Sequence, residues 1–183
     1  MKKIIILTFL TLFFGCSQKS DVISLPIYQA NGVKTATNKQ ICNLNFEDKR
    51  TNKSVIATIK SDNGDVKQYL TADKDLKIWF LDALNSEFKA RDINVGCDNS
   101  QNSINISFAS FKAQIQGFSR ENMSGSGEIF ITIKKDNTTF TKRISQTQSE
   151  FSPLMSVSSL NTFIENLLKD LVLKTAEQID SAL

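Results

Sequence analysis

Two hydrophobic rhythms in one chain decide most of what it can become. Ile104, Ile106 and Phe108 fall on alternate positions, as do Phe111, Ala113 and Ile115, and then Ile129, Ile131 and Ile133. A period of two gathers such residues on one face of a β-strand. Farther on, Leu160, Phe163, Ile164, Leu167, Leu168 and Leu171, extended by Ile179, recur at steps of three and four, the stripe of an amphipathic helix. A sheet with one apolar face and a helix with one apolar stripe can only bury each other. The expected fold class is α+β, a two-layer sandwich in which a mostly antiparallel sheet is packed by two long helices.

The remaining elements fit that frame. The first helix is expected over about 73–91, with Leu76, Trp79, Phe80, Ala83, Leu84 and Phe88 on its core face. Asp73 and Asp75 fall in its first turn, where carboxylates meet exposed N–H groups, and Arg91 suits its other end. The second helix is expected over 156–181, with Glu165–Lys169 and Asp170–Lys174 as i,i+4 pairs on its solvated side. Between Phe108 and Phe111 the alternation changes phase, so a β-bulge is predicted near Ala109 and Ser110. A strand from Ile41 to Phe46 ends at Glu47-Asp48-Lys49-Arg50, and strands over 55–60 and 66–70 flank the turn residues Asn63-Gly64. Residues 93–95 make a short strand, and 140–144 a strand beyond an Asp136-Asn137 turn. Lys134, Lys135, Lys142 and Arg143 around that hairpin read as a solvated face or as protection of an edge strand.

The amino terminus says where the protein works. Lys2 and Lys3 precede an apolar run from Ile4 to Phe14. Eleven helical residues span about 16 Å, short of the roughly 30 Å hydrocarbon core, which favours a signal peptide over a transmembrane anchor. Phe13-Phe14-Gly15-Cys16 resembles a bacterial lipobox, with Cys16 as the lipidation site. Two or three acyl chains, at about 0.8 kcal/mol per buried CH₂, hold a protein where one would be marginal. Ser17 after Cys16 carries no acidic retention signal, so the expected location is the periplasmic face of the outer membrane, with the inner membrane as the alternative because sorting rules differ among bacteria. Residues 1–15 are thus a signal peptide, 16–40 the lipidated cysteine and a flexible tether, and 41–183 one periplasmic domain. Within the tether, Val22, Ile23, Leu25, Ile27 and Tyr28 around Pro26 are too apolar for linker alone. They read either as an edge strand laid on the domain, where Pro is tolerated, or as a segment docking on a membrane partner.

Composition removes several kinds of chemistry. The 183 residues include no His, which excludes Ser-His-Asp and Cys-His pairs and imidazole-bearing zinc sites. The 22 basic and 19 acidic residues give +3, and removing 1–15 takes away Lys2 and Lys3, leaving about +1. Nucleic acid is therefore not an expected partner. Of the three Cys, Cys16 is assigned to lipid, leaving Cys42 and Cys97. An oxidising periplasm favours a disulfide between them. Cys42, however, falls at the start of one expected strand and Cys97 at the end of another; were those strands parallel neighbours, the Cα atoms would exceed the ~7 Å limit. A disulfide and two separate thiols both stay open. Gly125 and Gly127, in the stretch 118–127, lead into an expected strand rather than a helix, so that stretch reads as a hairpin connection and not a phosphate cradle. Glu47 and Asp48 point opposite ways along a strand and form no carboxylate dyad. Trp79 is assigned to the core. No catalytic residue, metal site or cofactor is expected.

The segment Glu47-Asp48-Lys49-Arg50-Thr51, a hairpin, Asp75-Leu76 at a helix start and Ala90-Arg91-Asp92 at its end resemble the YajG-type family of uncharacterised bacterial lipoproteins. That family shows a D-x-R-T strand end, a D-L helix start and an A-R-G helix end, with Asp92 standing where Gly is expected. The resemblance implies an outer-membrane-tethered α+β domain without an established activity. The order of elements is also similar to the lipoprotein that plugs the lipopolysaccharide-insertion barrel, although Ser17-Gln18 stand where that family has Gly and an aromatic residue. The expected function is a non-catalytic envelope lipoprotein that assembles with an envelope protein. The alternatives are a lipopolysaccharide-assembly component and a small-ligand-binding or hydrolytic periplasmic domain.

Overall fold

The longest strand among the described residues carries the alternating run that begins at Asn102, and the rest of the molecule is arranged on it. The computed structural model describes residues 22–30, 38–97, 102–117, 121–135 and 137–183. In chain order they form β1 (Val22–Ile23), β2 (Lys39–Ile41), β3 (Asn43–Asp48), β4 (Val55–Lys60), β5 (Val66–Ala72), α1 (Leu76–Ala90), β6 (Ile93–Val95), β7 (Asn102–Gln116), β8 (Met123–Lys135), β9 (Thr138–Glu150) and α2 (Val157–Asp180).

Strands β7, β8 and β9 form a continuous antiparallel meander, with Ile104 opposite Ile133 and Ile129 opposite Ile144. The bulge is where the change of phase predicts it, between Phe108 and Ser110. It divides β7 into two halves that take different neighbours on the same side. The first half pairs in parallel with β3, Asn43 against Ser103 through Asp48 against Phe108. The second half pairs in parallel with β4, Ala57 against Ala113 through Lys60 against Gln116. Beyond β4 lie antiparallel β5 and then β1, which runs parallel to β5. The large sheet is therefore mixed, its long pairings antiparallel. Gly64 takes a φ of 88° in the β4–β5 turn, a left-handed conformation that glycine adopts without cost.

Both helices lie on one face, giving the expected α+β layers. Helix α2 covers β8 with Leu160, Phe163, Ile164, Leu167, Leu168 and Leu171, all fully buried. Removing side chains of this kind from water contributes roughly 1.5–3 kcal/mol each. Ser156 caps the helix by accepting from the Ser159 N–H. Gly125 and Gly127 lie inside β8, beneath Phe163, Leu167 and Leu171, rather than in the expected hairpin connection. Phe118, Ser119 and Arg120 of that stretch lie outside the described residues. Asn122, buried, closes this end of the sheet: its amide donates to the carbonyls of Gly117 (3.0 Å) and Ser152 (2.7 Å), and its oxygen accepts from the Ser152 N–H (2.8 Å).

Helix α1 begins one turn later than the carboxylates alone imply. Asp75 is the cap, accepting from Lys77 N (2.8 Å) and Ile78 N (3.1 Å). Asp73 stays outside the helix, bonding Leu25 N (2.9 Å) and Ser24 Oγ (3.1 Å). The Glu165–Lys169 pair forms at 2.5 Å. Asp170 and Lys174 do not pair but turn to β9: Asp170 accepts from Gln146 (3.0 Å) and Gln148 (2.6 Å), and Lys174 donates to Gln146 (2.5 Å). Polar side chains on β9 outcompete the local helical pair because α2 lies directly over them.

Residues 22–30 and 38–40, which fall within the expected tether over 16–40, are part of the folded body. Residues 22–30 are a strap laid on the domain, with Ile23 and Leu25 fully buried. Val22 and Ile23 are the edge strand beside Thr71 and Ala72, and β2 pairs in parallel with β6. Cys16 and residues 1–15 lie outside the described residues.

Candidate functional site

Three places concentrate polar or accessible chemistry. The first is a chain of charges at the foot of the helices. The Tyr28 hydroxyl donates to Glu87 Oε1 at 2.5 Å, and Arg91 Nε reaches Glu87 Oε2 at 3.3 Å. Arg91 Nη1 also reaches Asp180 at 3.4 Å, and Lys39 Nζ lies 2.7 Å from the same carboxylate. Strap, α1, α2 and β2 meet here. Burial pushes the Tyr28 phenol well above its ordinary value, and the hydrogen bond and charge of Glu87 add to that, with Arg91 opposing. For Asp180 burial acts upward, yet the hydrogen bonds and charges of Lys39 and Arg91 outweigh it and hold the carboxyl below the usual range.

The second is the joint between β3 and β4. Asp48 grips Arg50 with both oxygens, at 3.0 Å to Nε and 2.8 Å to Nη2. Nη2 also donates to the Lys53 carbonyl at 3.1 Å, and the guanidinium lies 5.4 Å from the Phe108 ring centroid. Burial raises the Asp48 carboxyl, but the hydrogen bonds and charge of Arg50 lower it further, so it titrates below the ordinary range. This clasp carries the chain out of the sheet after β3 and back in at β4. Glu47 stays exposed and pairs with Lys49 at 3.2 Å, so the two adjacent carboxylates do separate work.

The third is the face of the sheet that no helix covers. Strict alternation sends Asn105, Ser107, Lys112 and Gln114 of β7 to this side, with Ser124, Ser126, Glu128 and Thr132 of β8 and Thr141, Arg143, Ser145 and Thr147 of β9. Across β4, the second half of β7 and β8, a groove of about 490 Å³ opens, lined among others by Ile56, Thr58, Val66, Lys112, Ser126 and Thr147. Its size lies within the range of small-ligand sites.

Cys42 and Cys97 are joined in a disulfide with Cα atoms 4.6 Å apart. The expected obstacle dissolves because the short strand β2 precedes Cys42, which therefore follows its strand just as Cys97 follows β6. Two parallel strands then end side by side. Trp79 is buried and donates to the Pro26 carbonyl at 2.7 Å. Of the basic residues around the last hairpin, Lys135 donates to the Leu183 carbonyl (2.8 Å), Lys142 to Gln178 (2.9 Å), and Arg143 pairs with Glu128. One S-x-x-K spacing, Ser86-Glu87-Phe88-Lys89, lies on the last turns of α1, but no hydrogen bond joins Ser86 to the exposed Lys89. Among the described residues no cluster of Cys, Asp and Glu could hold a metal ion, and no helix is long and apolar enough to cross a membrane. Sequence reasoning missed the Tyr28–Glu87–Arg91–Asp180–Lys39 chain, since nothing local pairs residues 141 positions apart.

The residues that carry the YajG-type resemblance are structural joints in this protein. Asp48 and Arg50 make the clasp, Asp75 caps α1, and Arg91 binds α1 to α2. Asp92 takes a φ of 57°, the left-handed conformation for which Gly is best suited and which Asp tolerates better than most residues. In fold the chain is similar to the crystal structure of protein XCC0632 from Xanthomonas campestris, of family DUF330, with a TM-score of 0.58, 10% identity, and 88% of this chain and 98% of that one covered. It is similar to the crystal structure of an uncharacterized protein at a TM-score of 0.51 and 9% identity, over 88% and 99% of the two chains. A looser likeness, with a TM-score of 0.40 and 9% identity over 73% and 94%, is to a minor lipoprotein from Acinetobacter baumannii and carries no structural argument. No curated protein matches by sequence. A family model described as uncharacterized lipoprotein matches residues 29–177, so the chain belongs to that uncharacterized lipoprotein family.

Proposed function

We propose that this protein is a non-catalytic lipoprotein of the bacterial envelope, anchored through acyl chains on Cys16 at the periplasmic face of the outer membrane. Its domain assembles with an envelope protein through the helix-free face of the large sheet. The observation that carries this reading is the one-sidedness of the sheet. Both helices pack on one face, and the other presents hydroxyl and amide groups along three long strands, interrupted by a partly apolar groove. Lys60, Lys112, Lys134 and Arg143 on that face, against Glu47 and Glu128, make it net basic. A partner with an acidic, hydrogen-bonding surface complements it. Membership in a lipoprotein family supports the anchor, and the lack of His in the chain supports a binding role over a catalytic one.

The test is site-specific photo-crosslinking in intact cells, with the crosslinker at Lys112, Ser126 or Thr147 and, as a control, at the exposed Asn166 of α2. Protein adducts from the sheet positions and none from Asn166 are expected. Adducts from Asn166 alone, or from no position, would sink the reading.

A further inference from the structure

The strap changes how far the domain stands from its anchor. Only five residues, 17–21, separate Cys16 from Val22, the first described residue of the folded body. At about 3.3–3.6 Å per residue, six Cα steps span no more than roughly 22 Å. Helix α2, with 24 residues, is about 36 Å long. The leash is thus shorter than the molecule, and the side bearing Val22 is held toward whatever surface holds Cys16.

That side has an unusual composition for a solvated surface. From Val22 the strap passes Asp73, gives its Leu25 carbonyl to Lys74 Nζ (2.5 Å) and reaches α1 at Trp79. There Ile27 and Ile78 rim a groove of about 560 Å³ floored by Tyr28, Trp79 and Ala83. Ile27 is 84% exposed and Ile78 60%, the two most open isoleucines among the described residues, and Val22 nearer the leash is 40% exposed. The charged residues lining the groove are Lys74, Asp75 and Asp82; Lys74 is held by the Leu25 carbonyl and Asp75 by the helix N–H groups it caps. Apolar side chains with so few charges beside them suit the headgroup–acyl boundary of a membrane better than a highly charged partner.

We propose that this groove, with Ile27 and Ile78 at its rim, seats on the headgroup–acyl boundary of the membrane that holds the Cys16 acyl chains. The surface rests on the lipid-anchor reading given above. Tethering supplies the affinity: with the acyl chains inserted, the strap faces lipid at the high effective concentration of a short linker, so two isoleucines suffice to set orientation. The helix-free face of the sheet is then free for a protein partner.

Trp79 is the only tryptophan of the chain and lies in the floor of the groove, so it reports on the contact directly. The experiment uses the full acylated protein in vesicles of phosphatidylethanolamine and phosphatidylglycerol carrying brominated acyl chains. Quenching of Trp79 fluorescence is expected. In an Ile27→Asp/Ile78→Asp variant the quenching should be lost while the protein still floats with the vesicles. Both positions are exposed, and an unchanged melting temperature checks that the variant is folded. Unquenched Trp79 in floating wild-type protein, or quenching that survives the double substitution, overturns the orientation. A photo-crosslinker at Ile78 that captures protein rather than lipid in cells overturns it too. Wild-type protein that does not float would instead defeat the anchor itself.

Discussion

At Gly127 there is no room for even a methyl group. A Cβ there would collide with Leu171 and sit 3.3 Å from Phe111, and at Gly125 it would lie 2.8 Å from both Leu167 and Phe163. The two glycines let α2 settle onto β8 at a distance that larger residues forbid. Gly127→Ala should therefore destabilise the protein by about 1–3 kcal/mol in urea unfolding, the usual effect of overpacking. Ser126→Ala, facing away from the helix, should stay within about 0.5 kcal/mol of wild type. In the sequence these glycines look like loop residues, because glycine normally weakens a strand. Their reason for being there is a helix that begins at Val157, 30 residues after Gly127. The β-bulge at Phe108 and Ser110 was legible, by contrast, since a change of phase is written in adjacent residues.

At the scale of elements, the strap and the β2–β6 pair show how short segments are held. Neither β1, of two residues, nor β2, of three, could pair stably alone. The strap is fastened by Tyr28 on Glu87, Trp79 on Pro26 and Asp73 on Leu25. Tyr28→Phe removes the phenol donor from a buried carboxylate, at a cost of roughly 1–3 kcal/mol. Because the folded protein holds the Tyr28 phenol above its ordinary value near 10, its contribution is complete below about pH 10 and is lost as pH rises through the folded value. Denaturation curves taken between neutral and strongly alkaline pH should show that loss in wild type and a flatter profile in Tyr28→Phe. The β2–β6 pair is fastened instead by the Cys42–Cys97 disulfide, which links positions 55 apart. Reduction should cost about 2–4 kcal/mol, read as a lower melting temperature in reductant. A Cys42→Ala/Cys97→Ala variant should be insensitive to reductant. Which edge each cysteine sits on was not legible, since a three-residue strand before Cys42 has too little pattern to announce itself.

Over the whole molecule, stability should fall in acid for a definite reason. Asp48 and Asp180 both titrate below the ordinary carboxylate range in the folded protein. A group with a depressed folded pKa stabilises above its unfolded value, near 3.9, and loses that contribution as pH falls through the folded value. Melting temperatures measured downward from pH 5 should drop, and Asp48→Asn should flatten that limb. The same substitution should cost about 3–5 kcal/mol near neutral pH, because Arg50 would remain as a buried charge without its partner. How much of the protein could be read from its sequence follows the range of the interactions involved. The hydrophobic periods that oblige an α+β layering, both ends of α2, the far end of α1, the bulge and the Asn63-Gly64 turn are written within a few neighbouring residues, so the sequence announces them. The mixed sheet, the strap, the disulfide, the Tyr28-to-Lys39 charge chain and the groove across β4, β7 and β8 join segments tens of residues apart. No period or local spacing encodes those meetings. They exist because a one-faced sheet and two striped helices, once obliged to bury each other, bring particular distant residues within hydrogen-bonding reach. By itself the sequence determined which faces must be hidden, and only the tertiary structure decided which surfaces were left exposed.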